Sequence, residues 1–99
     1  MIYVIASIKL KPGVREKFLE IFQANVPNVL AEDGCLSYEP CVDVVSDLVE
    51  ADPDVVTVVE EWESIKHLKA HLAAPHMKKY GAAVADLRLS TSLKIVENA

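Results

Sequence analysis

The chain has 99 residues, 52% of them hydrophobic, and carries a formal charge of −5 from 15 acidic and 10 basic side chains. A single domain over residues 1–99 is expected at this length. The apolar composition excludes intrinsic disorder, and no basic cluster suits nucleic acid or an anionic membrane surface.

No apolar run approaches the roughly 18 residues of a membrane span. Residues 1–13, MIYVIASIKLKPG, lack a basic leader and read as strand, so a cytoplasmic location is the default expectation. A domain this small hides only about 60–65% of its unfolded surface. With a mean hydropathy of +0.22, the chain carries more Val, Ile, Leu and Ala than one copy readily covers, and association into a homodimer is expected.

Residues 2–10, IYVIASIKL, are rich in β-branched side chains and predict a strand whose face of Ile2, Val4, Ala6, Ile8 and Leu10 is wholly apolar. KPG (11–13) turns the chain. From about Val14 the apolar spacing becomes helical, through Phe18, Ile21, Phe22, Val26, Val29 and Leu30, with Arg15, Glu16, Lys17 and Glu20 on the wet side. Pro27 predicts a kink, or a helix that ends near Asn25 and restarts. EDG (32–34) stops the helix, with Gly34 as a left-handed cap. Residues 35–46 predict a second strand, on which Pro40 suggests an edge or a bulge. An acidic loop (47–54) precedes a third strand, 55–63. Ser64 is a candidate N-cap for a short helix with the stripe Ile65, Leu68 and Leu72. Pro75 suits the first turn of a further helix, running to about Asp86, and residues 88–97 predict the last strand.

Cys35 and Cys41 sit six apart. On a strand they face the same way but lie roughly 20 Å apart at about 3.3 Å per residue, too far for a mutual disulfide. They read as two small reduced hydrophobes, with a reactive thiol as the alternative.

The order β-α-β-β-α-β, its second helical segment split by AAP, is the ferredoxin-like split βαβ pattern: an α+β fold with an antiparallel sheet and helices on one face. The other face is left bare and is apolar in several strands, so that two such sheets packed together would cover it.

GCLSYE (34–39), the acidic loop with DPD (52–54), EEWES (60–64) and AHLAAPHMKKY (70–80) resemble the antibiotic biosynthesis monooxygenase domain. The resemblance spans nearly the whole chain and implies a dimeric α/β barrel. It also implies oxidation of a small aromatic or quinol-type compound by O2, in several members without flavin, haem or metal. The fold hosts many activities, and a non-catalytic small-molecule binding dimer and a metabolite isomerase or lyase stand as alternatives. The haem-degrading branch of the fold shares Trp62 but has asparagine where Ser7 stands, and its ligand histidine falls near Gly81 here.

A cofactor-free oxygenase needs a dry pocket, a base and donors for developing charge. All three histidines fall within residues 60–80. His71, two turns into its helix and flanked by Leu68 and Leu72, matches the family histidine and is the candidate base; the alternative is a histidine bonded to a neighbouring strand. His76 opens a helix, where the dipole favours a neutral ring, and suits substrate contact, capping or the surface. His67 is expected to face solvent. His67 and His71 have the i, i+4 spacing of a zinc pair but lack the internal glutamate, and no metal is expected.

Glu60 and Trp62 share a strand face with Val56 and Val58. Trp62 is a candidate pocket floor for an aromatic ring or, equally, core filler. Glu60, costly on a buried face unless paired, is expected to salt-bridge across the sheet or the dimer, with catalysis as the alternative. The Tyr38 hydroxyl is a candidate donor to a substrate oxygen, and Tyr80 and Asn25 are further candidates for substrate contact.

Overall fold

In the computed structural model, which describes residues 1–99, the strict alternation of the first strand decides its orientation: in β1 (Ile2–Leu10) the residues Ile2, Val4, Ala6, Ile8 and Leu10 are all buried. The other elements are α1 (Arg15–Leu30), β2 (Cys35–Cys41), β3 (Val55–Trp62), α2 (Ile65–Leu72), α3 (Pro75–Val84), a 3₁₀ turn (Ala85–Leu87) and β4 (Arg88–Val96). The four strands form one antiparallel sheet in the order β2-β3-β1-β4. This is the α+β ferredoxin-like fold that the element order predicts.

The register places Val4 opposite Glu60 and Ile95, and Tyr38 opposite Glu60. One sheet face therefore gathers Ile2, Val4, Ala6, Ile8, Tyr38, Val56, Val58, Glu60 and Trp62, and Phe18, Phe22 and Val29 of α1 pack on it with Leu68 and Val84. The opposite face carries Tyr3, Ile5 and Val59 interleaved with Ser7, Thr57, Ser92, Glu39 and Glu61. It is thus a mixed surface rather than the apolar one expected. On the helix side, Leu93 and Ile95 of edge strand β4 lie beyond the reach of the helices and stay exposed.

Two boundaries differ most from the sequence expectations. Helix α1 does not stop at Asn25 but runs through Pro27 to Leu30. Pro27 lies one turn from the end, where the Ala31 N–H donates to its carbonyl at 3.1 Å, and fully buried Val29 pins the last turn to the sheet. Strand β2 ends at Cys41, five residues early: Cys41 pairs with Thr57 and β3 begins only two residues before that, so residues 42–46 have no ladder to join. The loop is tied down instead by a Lys9–Asp52 ion pair at 2.6 Å and by the Asp52 N–H donating to Asp43 at 2.9 Å. It leaves Val44, Val45, Leu48 and Val49 exposed.

The register of β2 also shifts between Cys35 and Ser37. Cys35 pairs with Trp62 on the helix side, whereas Cys41 pairs with Thr57 on the open side. The two thiols, both free, thus face opposite ways and not the same way, because a bulge inserts one residue and inverts the alternation. Pro40 is tolerated because β2 is an edge strand.

Candidate active site

The corner between β3 and α2 builds the centre of the site. Ser64 caps α2, its Oγ accepting the His67 N–H at 3.3 Å, and the phase it sets turns Leu68 and His71 inward. His67 is not fully solvent-facing: its Nδ1 lies 2.7 Å from Ser64 Oγ and its ring packs over Gly34. His71 is only 2% exposed. Its ring lies 4.7 Å from that of Trp62, centroid to centroid, and 5.5 Å from that of Tyr38. Tyr38 stacks on Phe22 at 5.2 Å, and Tyr80 meets Phe22 edge-on at 5.7 Å.

Glu60 completes this layer. No cation of the chain pairs with it. In place of the expected salt bridge across the sheet, its Oε1 accepts the Trp62 Nε1–H at 2.9 Å. Burial pushes the Glu60 carboxyl up to about 7, against the stabilising pull of the indole donor and with the Glu32 charge adding to the rise. Burial, followed by the nearby Glu60 charge, raises the Tyr38 hydroxyl far above the ordinary phenol range. Tyr80 is pushed up to about 12, mainly by burial, with Arg88 opposing. Both phenols therefore stay protonated at neutral pH and remain donors.

Glu32, just beyond the end of α1, joins two of the histidines. Its Oε2 accepts from His71 Nδ1 at 2.7 Å, and the same oxygen lies 3.4 Å from His76 Nε2. This fixes His71 as the Nδ1–H tautomer when neutral. His76 follows Pro75 in the first turn of α3, and neither of its ring nitrogens has a hydrogen-bond partner. It borders a cleft of about 360 Å3 between α1 and α3, shared with Tyr80, Asn25, Asn28 and Lys79. Asn25 is held by its neighbours, donating to Met77 Sδ at 3.5 Å and accepting from Asn28 at 3.0 Å.

The residues singled out in the sequence thus fall into two layers in contact. Asn25, His76 and Tyr80 line the cleft, while His71, Glu60, Trp62 and Tyr38 are buried behind its wall. Trp62 is fully enclosed and is not among the residues lining the cleft. A larger groove of about 570 Å3 lies on the other side of α1, between Leu30 and Leu36. It borders Tyr38 but none of the histidines; the smaller cleft meets the titratable cluster at His76, and a third hollow of about 310 Å3 is lined by Glu32, Asp33, Lys66, His67 and Ala70. Sequence reasoning missed Glu32, Asn28 and Lys79. Glu32 stands 39 positions from His71 and reads as part of a helix stop, so no local spacing marks it.

A sequence model of the antibiotic biosynthesis monooxygenase family matches residues 1–83. The chain belongs to that family. Among its relatives in this family is the Escherichia coli protein named probable quinol monooxygenase YgiN, 42% identical over 101 residues, a match covering 98% of this chain and 97% of the relative. The antibiotic biosynthesis monooxygenase fold is equally plain. The structure of Rv0793 from Mycobacterium tuberculosis superposes with a TM-score of 0.81 at 25% identity, covering 99% of this chain and 94% of that one. A conserved protein from Methanosarcina mazei reaches a TM-score of 0.86 at 22% identity, covering 99% and 92%, and shares the fold. Membership supports monooxygenase activity.

Proposed function

We propose that the protein is a cofactor-independent monooxygenase that oxidises a small aromatic, quinol-type substrate with O2 in the cleft between α1 and α3. The observation that carries this reading is the run of proton-handling groups from that cleft inward: His76 on its wall, Glu32 behind it, and the buried His71 held 2.7 Å from Glu32. At about 360 Å3 the cleft lies at the small end of the roughly 300–1,000 Å3 typical of ligand pockets, which suits one or two fused rings. Its donors, Tyr80, Lys79 and the two asparagine amides, suit an oxygen that gains negative charge.

The chemistry needs no external electron donor. A hydroquinone gives up a phenolic proton by way of His76 on the cleft wall to the His71–Glu32 pair behind it, and the resulting anion is electron-rich enough to pass an electron to O2. Recombination at a ring carbon bearing hydrogen forms a C–O bond to a peroxide. The stored proton returns to the distal oxygen, the O–O bond breaks, and that carbon loses its hydrogen as the ring is oxidised. One oxygen atom stays on the ring and the other leaves as water, so hydroquinone and O2 give hydroxyquinone and water. The apolar layer of Trp62, Phe22 and Tyr38 behind the wall keeps the local dielectric low and strengthens each of these interactions.

We extend the proposal to a homodimer. Leu93 and Ile95 on β4 and Val44, Val45, Leu48 and Val49 of the loop are exposed apolar side chains, of the kind that marks interfaces when they gather, and a second copy supplies like surface to cover them.

Oxygen uptake with a panel of reduced naphthoquinols tests the reading. The expected result is turnover in the wild type and a loss of about 10²-fold or more in His71→Ala, the usual size of an acid–base contribution. Uptake no faster than the uncatalysed rate across the panel would refute the activity, and unchanged turnover in the variant would remove His71 from it.

A further inference from the structure

We propose that Glu32 is a positioning residue that couples His71 and His76 into one proton-transfer unit, its single oxygen Oε2 serving both rings at 2.7 and 3.4 Å. The inference rests on the cleft being the reaction site.

Three features carry it. The first is sharing: one oxygen is hydrogen-bonded to the His71 ring and lies within ion-pair distance of the His76 ring, so a proton gained at one imidazole changes what the other can hold. The second is a gradient of access. The side chains of His76, Glu32 and His71 are 25%, 17% and 2% exposed: His76 opens on the cleft, Glu32 on a neighbouring hollow lined by Lys66 and His67, and His71 is enclosed. The third is the pair of His76 ring nitrogens, shielded from solvent and lacking any hydrogen-bond partner. An unmet buried polar group is costly, about 1–3 kcal/mol, and calls for an explanation in a native structure. A ring that must rotate between Glu32 and a substrate oxygen, and is therefore tied to neither, supplies one.

The surroundings fit a charge held at this point. The groups facing Glu32 are Tyr38 and Cys35 from β2 and Glu60 from β3, and the Glu32 charge raises all three. From α2 comes His71, with Lys66 and His67 lining a hollow beside Glu32, and from α3 comes His76. No Lys or Arg forms an ion pair with Glu32, whose ion-pair contacts are the two imidazoles. In the reaction, the substrate's phenolic proton is accepted at His76, and the Glu32 charge lets His71 rather than solvent supply or take up the balancing proton. The same proton returns to the peroxide oxygen, and no net charge is created.

The test uses the full-length protein and has two arms. In the first, ring-nitrogen NMR follows His71 and His76 through a pH titration. The expected wild-type result is two linked steps, and in Glu32→Gln two independent ones. Independent steps in the wild type, or the same linkage in the variant, would overturn the proposal whatever the substrate is. In the second arm, oxygen uptake with a reduced naphthoquinol is expected to show kcat lowered by about 10- to 100-fold in Glu32→Gln. KM should be little changed, and the pH profile should lose one limb. Glu32→Asp, which keeps the charge on a shorter arm, is expected to restore part of the rate. A profile and kcat identical to wild type would overturn the coupling. A wild type inactive on every quinol defeats the proposed function alone, and the NMR arm then decides. Should Glu32→Gln not fold, His76→Gln replaces it: His71 is then expected to titrate in a single step, and a persisting second step overturns the coupling.

Discussion

Replacing Glu60 with glutamine keeps the shape of the side chain and an oxygen to accept the Trp62 indole N–H, but removes a charge from a site enclosed by Val4, Val58 and Tyr38. The size of the effect follows from the carboxyl's proton affinity. An ordinary value of 4.5 is raised to about 7 in the fold, and at about 1.4 kcal/mol per pH unit this amounts to roughly 3 kcal/mol. The sign is set by which state holds the proton. Between 4.5 and 7 the folded chain keeps Glu60 protonated while the unfolded chain has lost that proton, so stability falls as pH rises. It is fully present below 4.5, and above 7 the folded state bears the whole penalty. Urea unfolding of wild type and Glu60→Gln at pH 4.5, 6 and 8.5, at one protein concentration, isolates the group, because other titrations largely cancel in the difference. The expected outcome is that the variant gains about 3 kcal/mol on the wild type across this range. Stability curves that run parallel would show that Glu60 is not held protonated by its surroundings, and the electrostatic description of the buried layer would fail with it.

Gly34 is constrained twice, by a φ of +80° and by the His67 ring, which a Cβ would strike. Gly34→Ala is expected to cost about 1–3 kcal/mol from the backbone alone and more from the collision. Thermal unfolding reads the loss, and adding His67→Ala should relieve only the steric part. The proposed homodimer is expected to persist in sizing experiments at micromolar concentration, with an obligate-type interface above roughly 2,000 Å2. A monomer under those conditions would contradict it.

Much of the fold was legible because each element announces itself locally. The Ile2, Val4, Ala6, Ile8, Leu10 alternation fixes β1, Ser64 marks the start of α2, and Pro75 marks the start of α3. What was not legible depends on partners distant in sequence. The end of β2 is decided by where β3 begins, not by the β-branched residues 42–45. Pro27 is tolerated because of what Val29 packs against. The inversion of Cys35 relative to Cys41 follows from a bulge that leaves no signature in CLSYEPC. The site divides in the same way. Rare residues drew notice to Trp62 and the histidines, and the strand period placed Glu60 on the buried face. The indole that satisfies Glu60 is two residues away, but burial alone had suggested a salt bridge. Glu32 has no local signal, because its role comes from two rings that the fold brings to it.

The extra residue in β2 bears on how this segment can change over time. Leu36 is half-exposed and looks expendable, yet it sets the frame between Cys35 and Tyr38. Side-chain substitutions there cost little, but deleting the residue would send either the thiol beside the indole or the phenol beside the imidazole out to the far side of the sheet. The segment should therefore tolerate drift in composition and resist indels.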